Sequence, residues 1–211
     1  MRHLEISPVY PITDKALARR PTHYSILRDL ARGGASWVQI RDKSTPAREL
    51  LPDLMRCAEF ALAHDLCLMI DDRCDLVMCI AATGVHLGQT DLPPRFARQV
   101  LGRDRLIGYS THTLSQVRAS LREPVDYIGY GPVFATSTKT GADPVVGLDG
   151  LKRACKAAGK PVVAIGGIAA GRVRPVLEAG AASAAVIAGL MCARDISRQM
   201  EILLREATGK Q

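Results

Sequence analysis

Gln39, Arg41 and Lys43 occupy alternate positions of the run Gln39-Ile40-Arg41-Asp42-Lys43. In extended backbone alternate side chains share a side, so all three would point the same way. Arginine offers a planar fork to phosphate oxygens and lysine a mobile point charge. Three aligned donors suit a diphosphate clamp, although the pattern taken alone is more ordinarily a solvated charge cluster. Further along, Ile70-Asp71-Asp72-Arg73 and Gly88-Gln89-Thr90-Asp91 place carboxylates after two more apolar runs. Asp72 and Asp91, joined by diphosphate oxygens and water, would complete a magnesium site, because magnesium takes few protein ligands and favours octahedral oxygen coordination. Helix capping is the other reading of Asp71 and Asp72. His86, inside an apolar run, reads as a packed polar side chain rather than a metal ligand.

A second group of residues is rich in glycine and hydroxyls. Ala164-Ile165-Gly166-Gly167 and Val186-Ile187-Ala188-Gly189 each follow an apolar run. Glycine lets backbone approach an anion closely, and N–H groups opening a helix would bind a monophosphate; a tight turn is the plainer alternative. Ser110 and Thr111 follow another run and read most simply as helix caps. The stretch 131–144 carries Thr136, Ser137, Thr138 and Lys139 and has the composition of either a lid or a surface loop. A diphosphate clamp facing a monophosphate cradle implies a reaction that joins two phosphorylated molecules.

These residues need a scaffold that gathers strand ends. Eight apolar runs, at 9–12, 37–40, 66–70, 84–87, 105–108, 127–129, 161–165 and 184–187, read as strands. Helical spacing lies between them: Leu50, Leu54, Ala58 and Ala61 share one face, with Thr45 and Pro46 suited to the N-cap and first position. The segments 148–158 and 193–205 read likewise as helices. Strand–helix repetition gives a parallel sheet with right-handed crossovers. Eight units predict an α/β fold of the (β/α)8 TIM-barrel kind, with an open doubly wound sheet as the alternative. In a barrel every cluster above falls at a C-terminal strand end, where barrel sites lie, and the last two strand ends are where phosphate sites recur.

Composition narrows the partners. The chain has 211 residues, short for two cores, and no linker divides it, so 1–211 is expected to be one domain. A formal net charge of +7 favours anionic partners. The basic residues are dispersed, and three Phe, five Tyr and one Trp are too few for a base-stacking platform, which points to anionic small molecules rather than nucleic acid. Six cysteines show no CxxC spacing, and there is no apolar signal core or membrane-length stretch. The expectation is a cytoplasmic protein with reduced, mostly buried thiols. Oligomeric state stays open.

Over essentially its whole length the chain resembles the thiamine-phosphate synthase family, through YPITD at 10–14, VQIRDK at 38–43, IDDR at 70–73, GVHLGQTDLP at 84–93, IGYSTHT at 107–113, YIGYGPVFATSTK at 127–139 and VVAIGGI at 162–168. The order and spacing of these pieces together are specific. The resemblance implies a (β/α)8 barrel that condenses an aminopyrimidine methyl diphosphate with a thiazole phosphate and releases pyrophosphate. It assigns Gln39, Ile40, Arg41, Asp42, Lys43, Asp71, Ser110 and Lys139 to the pyrimidine diphosphate. Asp72 and Asp91 go to Mg2+, and Thr136, Ser137, Thr138, Gly167, Ile187 and Ala188 to the thiazole phosphate. Arg41, Lys43, Lys139 and Ser110 are the residues expected to act on the reacting groups. The family commonly has Asn where Asp71 stands and Ser where Ala188 stands. Asp71 could face the diphosphate directly, bridge to it through magnesium, or turn to Arg73 or Lys43. A thiazole tautomerase of the same superfamily, with His112 as acid/base, and a non-catalytic phosphometabolite-binding relative are the alternatives.

Overall fold

Short runs rich in Val, Ile, Leu and Tyr form eight strands in the computed structural model, which describes residues 4–136 and 143–209. They are β1 Val9–Pro11, β2 Trp37–Ile40, β3 Cys67–Asp71, β4 Gly84–Leu87, β5 Leu106–Thr111, β6 Tyr127–Tyr130, β7 Val162–Ala164 and β8 Ser183–Val186. The helices are α1 Lys15–Ala18, α2 His23–Arg32, α3 Ala47–Ala63, α4 Cys74–Cys79, α5 Pro94–Leu101, α6 Leu114–Ser120, α7 Gly147–Ala158, α8 Val173–Glu178, α9 Ala188–Met191 and α10 Ile196–Thr208. Among the described residues, no helix is long and apolar enough to cross a membrane.

The strands pair in parallel, in the order β1-β8-β7-β6-β5-β4-β3-β2. A bridge between Ile12 and Gln39, with the Thr13 N–H donating to the Gln39 carbonyl at 2.9 Å, brings β1 against β2 and closes the ring. The chain is therefore the expected (β/α)8 barrel and not an open sheet.

Alternation along each strand divides the side chains into two layers. Val9, Val38, Ile70, Val85, Ile107 and Ile128 face outward into the layer shared with the helices. Tyr10, Ile12, Trp37, Met69, Tyr127, Val163 and Ala185 fill the bore. In the outer layer Leu54 of α3 is fully buried, beside Leu50, Cys57, Ala58 and Ala61 on the same face. Truncating such a leucine to alanine costs about 2–5 kcal/mol.

Several boundaries differ from expectation for local reasons. Pro46 is the N-cap of α3 and Ala47 its first residue, because the Thr45 hydroxyl donates instead to Asp42 at 2.7 Å. The last helix starts at Ile196, where Asp195 accepts the Arg198 N–H, three residues later than the 193–205 pattern. β5 runs on to Thr111, so neither Ser110 nor Thr111 caps a helix; Thr113 caps α6 in a reciprocal box with Gln116. Asp71 lies within β3, and α4 begins after Arg73 with no side-chain cap, which removes the capping reading of Asp71 and Asp72.

Candidate active site

A cavity of about 680 Å³ opens at the C-terminal mouth of the barrel, within the size range of small-molecule sites. β2 ends at Ile40, yet the side chains of Gln39, Arg41 and Lys43 all line this cavity. β3 supplies Asp71 and the following turn Asp72, whose φ of 60° is a left-handed conformation that aspartate tolerates better than most residues. The loop after β4 supplies Asp91, held by the Gly88 N–H at 2.6 Å.

The electrostatics of this corner are crowded. Gln39 Nε2 donates to Asp71 Oδ1 at 2.7 Å, and Arg41 Nε stands 3.8 Å from Asp71 Oδ2. The Lys43 ammonium is 2.9 Å from Asp71 Oδ2 and also contacts Asp72 Oδ2. The first of these is an ion contact without hydrogen-bond alignment, so the buried Oδ2 of Asp71 keeps an unmet lone pair. Burial pushes the Asp71 pKa up, and Lys43 and Arg41 pull it back only in part. Burial also raises the Asp91 pKa; the Gly88 N–H opposes this, and the neighbouring Asp72 carboxylate adds to it. On Lys43, burial acts against the charge, but Asp71 and Asp72 outweigh it and raise the pKa. Of the three postures open to Asp71 in the sequence, this one faces the cavity with Lys43 against it, while Arg73 pairs with Asp75.

Ile40 and Asp42 do not present their side chains to the cavity. Ile40 is buried in the outer apolar layer. The Asp42 side chain, 3 % exposed, turns under the loop and accepts from Lys15 Nζ at 2.8 Å, His23 Nε2 at 3.2 Å, the Thr45 N–H at 2.9 Å and the Ser44 N–H at 3.1 Å. His23 is fully buried, its Nδ1 2.8 Å from Thr13 Oγ1, and that same oxygen accepts the Arg41 N–H at 3.2 Å. The side chain of Asp42 thus buttresses the loop that carries Arg41 and Lys43 and is turned away from the cavity.

Deeper in the bore, His86 of β4 lies across β5 and β6. Its Nε2 is 2.9 Å from Ser110 Oγ, its Nδ1 is 3.1 Å from the Tyr127 hydroxyl, and Tyr127 in turn meets the Tyr10 hydroxyl at 2.9 Å. Burial, reinforced by Lys43, lowers the His86 pKa to about 4, so the imidazole is neutral near pH 7. Ser110 reaches the cavity, and Gln89 Nε2 holds its carbonyl at 2.6 Å.

On the β7–β8 side, Gly166 and Gly167 have φ of 103° and 62°, which places their backbone where a side chain is strained. A Cβ on Gly167 would collide with the Ala135 carbonyl oxygen. The N–H groups of Gly167, Ala188 and Gly189 donate to no acceptor among the described residues, and the residues carrying them, together with Ile187 and Thr136, line the cavity. A cradle of free N–H groups beside glycines can hold an anion. Arg172 flanks it, donating to the Gly167 carbonyl at 2.7 Å over the Phe134 ring. Ser137, Thr138 and Lys139 lie outside the described residues.

Sequence reasoning missed three side chains at this mouth, Gln89, Gln116 and Asp143, and named His112 only as the acid/base of a tautomerase. Gln89, His112, Gln116 and Asp143 also line the cavity, and His112 Nδ1 is 2.9 Å from the Gly131 carbonyl and 3.4 Å from Asp143 Oδ2. Their positions after β4, β5 and β6 were the available signal, since the segments at that end of each strand converge on the mouth.

Comparisons with known proteins agree with this geometry. The thiamine monophosphate synthase family matches residues 9–190. The thiamine-phosphate synthase of Albidiferax ferrireducens is 40% identical over 192 residues, covering 91% of this chain and 88% of that protein. That of Chloroflexus aurantiacus is 35% identical over 199 residues, covering 93% and 92%. The solved structure of a thiamine phosphate pyrophosphorylase from Pyrococcus furiosus superposes with a TM-score of 0.87 at 32% identity, covering 96% of each chain. With a matching barrel and near full-length similarity to its members, the chain belongs to the thiamine monophosphate synthase family.

Proposed function

We propose that this protein is a thiamine-phosphate synthase that joins an aminopyrimidine methyl diphosphate to a thiazole phosphate, with Mg2+ as its cofactor. The observation that carries this reading is the division of one cavity into two unlike anion sites. Arg41 and Lys43 stand over the Asp71–Asp72–Asp91 corner on one side, and free N–H groups beside Gly167 and Ala188 stand on the other.

The residues present fit a hard divalent cation. The Asp72 carboxylate is close enough to Asp91 to raise its proton affinity, Asp71 Oδ2 is buried with an unmet lone pair, and the Lys43 ammonium sits among them as a cation would. Among the described residues no group of three or more His, Cys, Asp or Glu is arranged as a metal site. The reading therefore gives the ion two carboxylates, Asp72 and Asp91, with substrate oxygens and water completing its shell. When bound, magnesium would supply positive charge to the departing pyrophosphate.

The bond from the methylene carbon to the diphosphate oxygen breaks, and its electron pair leaves with pyrophosphate. The aminopyrimidine stabilises the carbon cation, and the lone pair of the thiazole nitrogen forms the new C–N bond. The protein's part is alignment of two reactants and neutralisation of leaving charge. Arg41 and Lys43, with Lys139, hold the diphosphate; Ser110 meets the pyrimidine ring; the Gly167–Ala188 cradle anchors the thiazole phosphate. The substrates are small phosphorylated molecules, and the absence of clustered basic and aromatic residues in the sequence argues against nucleic acid. Six free cysteines suit a reducing compartment, the cytoplasm.

The test is pyrophosphate release measured with each substrate alone and with both. Release that requires both ligands and magnesium supports the reading. Release from the diphosphate alone at the full rate, or none with both present, refutes it.

A further inference from the structure

The registers of β4, β5 and β6 place His86 beside Gly108, Gly108 beside Tyr127, and Ser110 beside Gly129. Both glycines make room for the imidazole. A Cβ on Gly108 would collide with the Tyr127 ring, and one on Gly129 would stand 3.3 Å from His86 Cε1. Two strands thus forgo side chains where this ring lies, and the ring links four residues in series: Tyr10, Tyr127, His86 and Ser110.

Each hydroxyl brings one proton, and a neutral imidazole brings one. The chain can therefore run in either of two directions. Run from Ser110 inward, it leaves the Tyr10 proton at the buried end, where Tyr10 is 1 % exposed and its hydroxyl has no partner but Tyr127 among the described residues. An unmet buried O–H is costly. Run outward, every internal proton is accepted, and the one left over belongs to Ser110 and faces the cavity.

We propose that His86 is a positioning residue that fixes Ser110 as a hydrogen-bond donor to the substrate ring. Tyr10 donates to Tyr127, Tyr127 donates to His86 Nδ1, and His86 Nε2–H donates to Ser110 Oγ. The Ser110 proton then selects an acceptor, such as an unprotonated ring nitrogen or a carbonyl oxygen, and disfavours an amine in that place. The identity of the ring rests on the synthase reading, under which Ser110 meets a ring nitrogen of the aminopyrimidine and not its exocyclic amine.

Two measurements test this. Long-range 1H–15N spectra of the imidazoles, with the His86 signals identified by their loss in His86→Gln, report the tautomer in the ligand-free protein. The neutral Nε2–H form is expected; an Nδ1–H or doubly protonated ring overturns the proposal, whatever the protein's function. The second measurement is affinity for the aminopyrimidine methyl diphosphate and for inorganic pyrophosphate in Ser110→Ala, His86→Leu, the double variant and His86→Gln. One net hydrogen bond corresponds to about 2- to 12-fold in affinity. Each single variant should lose about that much for the ring ligand and none for pyrophosphate. The double variant should bind no worse than Ser110→Ala, and His86→Gln, which keeps a donor toward Ser110, should recover most of the loss. Additive losses, or equal losses for pyrophosphate, overturn it. A wild-type protein that fails to bind the ring ligand while showing the Nε2–H tautomer would sink the synthase reading and leave the hydrogen-bond chain standing.

Discussion

Replacing Asp42 with alanine should damage stability before it damages chemistry. The Asp42 carboxylate, 3 % exposed, accepts from Lys15, His23, Ser44 and Thr45. Its removal strands the His23 Nε2, which is wholly buried, and frees the Lys15 ammonium, whose side chain is 26% exposed and can turn toward water. Breaking one side of a buried pair costs about 3–5 kcal/mol. Partial solvation of Lys15 reduces this to roughly 2–4 kcal/mol, or about 4–16 °C in Tm for a chain of this size. The assay is thermal and urea unfolding of Asp42→Ala beside Lys15→Ala, which leaves the carboxylate its other donors and should lose less. Burial pushes the Asp42 pKa up, but hydrogen bonds from Lys15, Thr45 and Ser44 outweigh it and hold the group well below the usual carboxylate range. The folded state thus binds fewer protons here than the unfolded chain. The stabilisation is complete above the unfolded pKa near ~4 and is lost as pH falls below it, and Asp42→Asn should flatten that acid limb. A Tm within about 2 °C of wild type for Asp42→Ala, or intact stability with diphosphate binding lost, would refute the buttress and restore Asp42 as a ligand contact.

Asp72→Ala and Asp91→Ala should each nearly abolish activity with circular dichroism unchanged, since magnesium loses one of few protein ligands; full activity in both, or activity indifferent to chelator, removes the metal assignment. Asp71→Asn should raise the magnesium concentration needed for half-maximal rate, because a buried oxygen with an unmet lone pair is lost from the corner; an unchanged or lower requirement rules out a bridging Asp71. Gly167→Val should weaken thiazole phosphate far more than the diphosphate, and its strained backbone and collision with Ala135 should cost about 1–3 kcal/mol of stability. Equal losses for both ligands in that variant would argue against two separate anion sites.

How far the sequence could be read follows from which interactions are local. Alternation within a strand put Gln39 inward and Ile40 outward without any tertiary knowledge, and the eight runs sufficed for the barrel. The inward turn of the Asp42 side chain was not legible in the strand alternation, because β2 ends at Ile40. Asp-Lys-Ser-Thr carries the cue, since an aspartate followed by hydroxyl residues favours a turn closed on its own carboxylate. The partners of that carboxylate, Lys15 and His23, come from the β1–α2 region and are invisible to local pattern. Ser110 looked like a helix cap because the end of β5 was placed at 108, three residues before the strand stops. His86 could be placed in the bore by its apolar neighbours Val85 and Leu87, but its contacts with Ser110 and Tyr127 depend on a register between strands that no single segment encodes.

The most direct test of the account is formation of the product itself. Purified protein would be mixed with the aminopyrimidine methyl diphosphate, the thiazole phosphate and Mg2+, and thiamine phosphate and pyrophosphate would be quantified by mass spectrometry. The account predicts equal amounts of the two, and neither when one substrate or the metal is withheld. Binding of both ligands to the protein with no thiamine phosphate formed would contradict it.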